Sequence, residues 1–133
     1  MKAALIELAP YQSSSIAVKR IKQNHFITPF HFHDYCELNY VKKSYGKRVV
    51  GDCINNFFEG DLVLMSPNLP HVWYNDPEIL KTPSNSCAEA IVAYFPIDFL
   101  EKLTNDHMVL SKTNNLFEKA KGGYAISVKP KSG

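Results

Sequence analysis

The sequence predicts an all-β domain finished by helices. Short apolar runs separated by turn residues fill the first 95 of 133 positions, and from Pro96 the apolar spacing changes to every third or fourth residue. Strands therefore come first and helices after, an order that argues against alternating βαβ units and for a β-sandwich or barrel with helices at one end. A jelly roll, which protects its edges, suits that grammar.

Taken in order, Ala4-Leu5-Ile6 and Ile16 to Ile21 read as two strands separated by Pro10 and a polar Gln12-Ser-Ser-Ser15 turn. Pro29 resets the backbone, so the segment from His31 should run extended. Glu37 to Val41 continues as strand. Lys42 to Arg48, polar and centred on Gly46, reads as a hairpin leading into Val49-Val50, with its cations at a solvated tip. Asn55-Asn56 and Glu59-Gly60-Asp61 read as turns around Phe57-Phe58, ahead of the apolar run Leu62 to Met65. Residues 76–86, with Pro77 and Pro83, read as a connecting loop before the strand Ala88 to Phe95. Ile97, Leu100 and Leu103 mark one short amphipathic helix. A second follows Ser111, carries Leu116, Phe117 and Ala120, and stops at Gly122-Gly123. The expected boundaries are a β domain over 1–95, a helical tail over 96–123 packed on the sheets or at a dimer interface, and a C-terminal end over 124–133, frayed from Lys129.

Composition excludes several classes. Apolar residues at 45% and charged residues at 21% are ordinary for a globular chain. A net charge of +2, from 15 basic and 13 acidic residues, is too small an excess to mark a nucleic-acid footprint. No apolar run is long enough to span a bilayer and the first residues do not read as a secretory signal, so a cytoplasmic location is expected, without membrane contact. Cys36, Cys53 and Cys87 fit neither a disulfide framework nor a CxxC zinc site and should be buried or half-buried thiols.

The chemistry concentrates at His31, His33 and Glu37, which share one parity and so one face of an extended chain. His71 can reach the same interior one hairpin pair later. Three imidazoles and a carboxylate form a suitable shell for zinc, iron, manganese or nickel, although the same groups can also bond to each other or to an organic ligand without any metal.

The pattern His31-x-His33-x3-Glu37 with Gly46 resembles the first motif of the cupin superfamily, and Gly60-x10-His71-x3-Asn75 resembles its second. Three departures accompany it: a wider gap between Glu37 and Gly46, Ser66 at the customary proline with Pro67 one later, and Asn68 in place of a glycine. The stretches around Phe30 to Tyr40, Gly46 to Asp52 and Gly60 to Trp73 further resemble the N-terminal sensor domain of AraC-type bacterial transcription regulators. That resemblance covers about Ser15 to Gly123. It implies a double-stranded β-helix followed by two short α-helices, binding a small effector inside and forming a homodimer through the helices. DNA would be contacted by a C-terminal helix-turn-helix domain that nothing in this chain matches. His31, His33, Glu37 and His71 would line the effector pocket, with Tyr35, Tyr40, Trp73 and Tyr74 as walls. The first four would hold a divalent metal if one is bound, although the sensor role requires no cofactor. The implied role is not enzymatic; a small metal-dependent cupin enzyme (dioxygenase, isomerase or decarboxylase) is the alternative.

Overall fold

The computed structural model describes residues 3–5, 16–81 and 87–126. Among the described residues, ten strands form two five-stranded sheets. The first sheet contains β1 (Ala4–Leu5), β3 (His31–Phe32), β5 (Gly46–Val50), β6 (Cys53–Phe57) and β8 (His71–Asn75), ordered β1-β3-β8-β5-β6. The second contains β2 (Ala17–Gln23), β4 (Cys36–Lys43), β7 (Leu62–Met65), β9 (Ala88–Phe95) and β10 (Tyr124–Ala125), ordered β10-β7-β4-β9-β2. Every pairing is antiparallel except that of β1 with β3. The expected progression from strands to helices holds in part: α2 (Phe99–Leu103) and α3 (His107–Ala120) follow β9, but β10 comes after α3 and a short helix precedes β9.

Alternation along the central strand β4 shows what lies on each side of the second sheet. Glu37, Asn39 and Val41 are buried on the face turned toward the first sheet. Cys36 is buried on the opposite face, where Leu64, Phe117 and Ala120 cover it and Leu38 packs alongside. The core between the sheets gathers Val41, Val50, Phe57, Val63, Met65 and Trp73. The C-terminal turns of α3 thus cover the outer face of the second sheet around Cys36 and Leu64, and the inner face is left to build a cavity.

Several local expectations are corrected. Lys42 to Arg48 is not a hairpin: β4 pairs β7 and β9, whereas β5 pairs β6 and β8, so the chain crosses between sheets here. Gly46 is required at that crossing because a Cβ would lie 2.0 Å from the Tyr74 carbonyl oxygen. Of the basic cluster, Lys42, Lys43 and Lys47 are exposed as expected, but Arg48 is buried and paired with Asp61. Asn55 and Asn56 lie within β6, an exposed edge strand that tolerates polar residues, and Gly51-Asp52 makes the turn. Residues 77–81 form a short helix, α1 (Pro77–Lys81), opened by proline at its first position and by Asp76, whose carboxylate accepts from the Glu78 amide at 3.0 Å. Helix α3 begins four residues before Ser111, because Asp106 is its N-cap and accepts from the Met108 and Val109 amides. Tyr124 and Ala125 pair with β7 as a strand, while the expected fray from Lys129 lies outside the described residues. Cys36 and Cys87 are buried thiols as expected, but Cys53 is exposed.

Candidate metal centre and cavity

The site is built where the chain passes from the first sheet to the second. His31 ends in β3 and pairs directly with His71 of β8. His33 sits in the corner, and Glu37 enters β4. Alternation survives the corner, so His31, His33, Tyr35 and Glu37 all line one cavity between the sheets. Asn68, at the position the motif gives to glycine, takes φ +66°, a left-handed conformation that asparagine tolerates. Its amide then donates to the His33 carbonyl at 2.6 Å and ties the two motifs together. Asn75 clamps from the other side, accepting from the Phe26 amide at 2.5 Å and donating to the Ser44 hydroxyl.

The four side chains converge. One ligand atom from each of His31, His33, Glu37 and His71 lies within 4.8 Å of the others. Each imidazole is oriented by a backbone carbonyl accepting from Nδ1: Pro29 for His31 at 2.7 Å, Tyr35 for His33 at 3.0 Å and Leu69 for His71 at 2.8 Å. That bond places the proton of a neutral ring on Nδ1 and leaves the Nε2 lone pair for the interior. His33 Nε2 lies 3.0 Å and His71 Nε2 3.3 Å from the same carboxylate oxygen, Glu37 Oε1, and His71 Nε2 makes no hydrogen bond. Asn39 donates to the other oxygen, Oε2, at 3.1 Å.

With every Nδ1 proton committed to a carbonyl, lone pairs of nitrogen and oxygen face one another in a buried space. Only a cation or added protons make that arrangement favourable. Protonation tendencies follow the same geometry. Burial opposes charge on His71, yet the adjacent Glu37 carboxylate outweighs it and raises the pKa above the ordinary value. His31 is shifted down, by burial first and then by the neighbouring His71. Glu37 is held well below the usual carboxylate range: burial works against its charge, but contacts with His33, His71 and Asn39 prevail. A site of three orienting-bonded imidazoles and one ionised carboxylate fits a divalent metal of the zinc, iron, manganese or nickel type.

The whole cavity, about 150 Å3, has a polar end at this cluster and apolar walls from Ile21, Phe26, Val72, Trp73, Ala90 and Val92. Tyr35 stacks on His33 with ring centroids 4.0 Å apart, and Tyr94 stands edge-on to both. Burial, reinforced by the Glu37 and Tyr35 charges, raises the Tyr94 pKa, so its phenol keeps its proton. Of the expected walls, Tyr35 and Trp73 line the cavity but Tyr40 and Tyr74 do not. Tyr40 lies on the opposite parity from Asn39, and the two tyrosines are 37% and 43% exposed. Sequence reading missed Tyr94, Asn39 and Lys19, whose inward placement follows from β2–β9–β4 register and carries no local motif. Cys36 takes no part: it lies on the far face of the sheet, and burial pushes its thiol up to about 12.

Solved structures similar to this one include a Cupin 2 conserved barrel domain protein from Salinispora arenicola, 12% identical over 84% of this chain and 80% of that one, with a TM-score of 0.47. A second, from Rhodopseudomonas palustris, is 14% identical over 84% and 75%, with a TM-score of 0.45. Bacillus subtilis oxalate decarboxylase, a protein with Mn(II) centres, is 18% identical over 89% of this chain, with a TM-score of 0.49. The chain spans about a third of that enzyme, 35% of its length. No protein-family profile and no curated protein matches the sequence.

Proposed function

We propose that this chain is a cupin-type double-stranded β-helix that holds a divalent cation on His31, His33, Glu37 and His71 and binds a small effector beside it. In this reading it is the sensor and dimerisation domain of an AraC-type transcription regulator, working in the cytoplasm and contacting DNA only through a separate helix-turn-helix domain. The observation that carries the site is the convergence of three Nδ1-anchored imidazoles on one buried carboxylate. A bound cation supplies a Lewis acid at the floor of the cavity.

A sensing role is supported by how the cavity joins the helices. The segment after β7 has His71 at one end and Ser66 at the other, where the Ser66 amide donates to the Ala120 carbonyl at 3.1 Å and its hydroxyl to the Phe117 carbonyl at 3.2 Å. A proline at position 66 could not donate the first bond. An effector that favours one placement of this segment therefore biases the end of α3. The second reading, a metal-dependent cupin enzyme, is favoured by Tyr94, a protonated phenol beside Glu37 that is available to donate to a bound substrate.

Elemental analysis tests the cation: wild-type chain should carry close to one metal per molecule, and His71→Ala and Glu37→Gln much less. Equal content in all three overturns the site. Light scattering tests the assembly, where a chain that stays monomeric at millimolar concentration overturns dimerisation. A compound that binds and is recovered unchanged supports sensing, whereas turnover supports the enzyme.

A further inference from the structure

The cavity carries a recognition feature on its second sheet that the metal cluster does not use. The register places Lys19 of β2 opposite Val92 of β9, and Val92 opposite Asn39 of β4, so Lys19, Val92 and Asn39 form one inward-facing row. Glu37 and Tyr94 form the adjacent row. Among the described residues that line the cavity, Lys19 is the only cation apart from the histidines, and Glu37 is the only carboxylate. Two polar atoms on the same walls, buried within side chains about 8% exposed, have no hydrogen-bond partner: Asn39 Oδ1 and Trp73 Nε1. One is an acceptor and the other a donor, and each costs stability until a ligand or water meets it.

We infer that the cavity selects a small dicarboxylate, one carboxylate at the cation held by the histidine cluster and the other answered by Lys19 across Val92. The inference rests on the cation site proposed above and adds the charge of the ligand to it. A divalent ion with Glu37 and three neutral imidazoles leaves one net positive charge, and Lys19 adds a second. A site of that charge, buried at the histidine cluster and open to solvent at Lys19, favours a dianion over a monoanion or a neutral molecule. The spacing agrees. Two strand separations across and two residues along put the Glu37 and Lys19 Cα atoms roughly 12 Å apart, and side chains reaching inward from both leave room for a short linear diacid. Val92, small and apolar, floors the gap where the methylenes would lie.

Succinate, its neutral isostere succinamide, and acetate are the probes, titrated calorimetrically into chain loaded with Zn(II) and separately with Mn(II). Succinate should bind at least tenfold more tightly than succinamide. Lys19→Met, at an exposed position on an edge strand, should weaken succinate at least tenfold while leaving metal content and acetate affinity unchanged, and Lys19→Arg should retain most of the succinate affinity. If the chain holds metal but treats succinate and succinamide alike, or if Lys19→Met binds succinate as wild type does, the dicarboxylate inference falls and the metal site stands. If wild-type chain takes up neither ion, the site itself fails, and the charge count fails with it.

Discussion

Two buried ionic groupings in this chain look alike in composition and differ in how they are completed. Arg48 and Asp61 carry equal and opposite charge: Nη2 donates to Oδ1 at 3.3 Å, and Nε lies 3.1 Å from Oδ2 as an ion-pair contact that is not aligned as a hydrogen bond. The Glu37 grouping turns a carboxylate and imidazole lone pairs toward one another, with its ring protons already spent on Pro29, Tyr35 and Leu69. Burial of charge therefore does not by itself distinguish a site from a structural pair. The distinguishing mark is an excess of convergent acceptors, which requires something from outside the chain.

That contrast breaks most sharply at the carboxylates. Glu37→Gln should lower metal affinity by about two orders of magnitude, since structural metal binding of order 10–16 kcal/mol shared over four ligands gives each about 3 kcal/mol. Above the folded His71 pKa, where the ring is neutral, the metal-free variant should melt no lower than metal-free wild type, because an amide can donate to an imidazole Nε2 where the carboxylate cannot. A large fall in its melting temperature without metal would show that Glu37 is chiefly a partner for protonated histidine. Asp61→Ala should do the reverse: it strands the Arg48 guanidinium, costs roughly 3 kcal/mol in urea unfolding, and leaves metal content untouched. Loss of metal in that variant would erase the distinction between the groupings.

The histidine cluster was legible because its information is local. Parity alone brings His31, His33 and Glu37 to one face, and it persists through the corner between sheets. Lys19 and Tyr94 were not legible, since their inward direction depends on which strands become neighbours. The hairpin expected over Lys42 to Arg48 failed for the same reason: a polar stretch around a glycine signals a change of direction but not whether the chain returns to its own sheet or crosses to the other. The start of α3 was missed by four residues because Asp106, not Ser111, offers the capping oxygen, and the two residue types cap comparably well.

A smaller effect separates the metal-free and metal-loaded states by pH. In the metal-free chain the His71 pKa is raised, so its contribution to stability is fully present below the ordinary histidine value of 6.5 and is lost as pH rises through the folded value. His31, shifted down, contributes in the opposite sense and loses its contribution as pH falls. Metal removes the compensation, because every ring must then be neutral at Nε2. The difference in melting temperature between loaded and metal-free chain should therefore grow from pH 5.5 to pH 7.5. A difference that is flat across that range would mean that no histidine proton is displaced and that the cation binds elsewhere.

The smallest effect lies at Ser66, at the opposite end of the segment from His71. Ser66→Ala removes the hydroxyl bond to the Phe117 carbonyl but keeps the amide bond to the Ala120 carbonyl, so it should cost about 1 kcal/mol and leave metal content unchanged. Ser66→Pro removes both bonds, so it should cost more, with the loss concentrated at the C-terminal turns of α3. Hydrogen exchange of the amides from Leu116 to Ala120, compared with and without metal, reads the connection between cavity and helix directly. In wild type, metal should slow exchange there; in Ser66→Pro the same metal should bind without slowing it. Equal protection in both would mean that α3 is held by Phe117 and its neighbours alone, and that the cavity has no route to the helices through this segment.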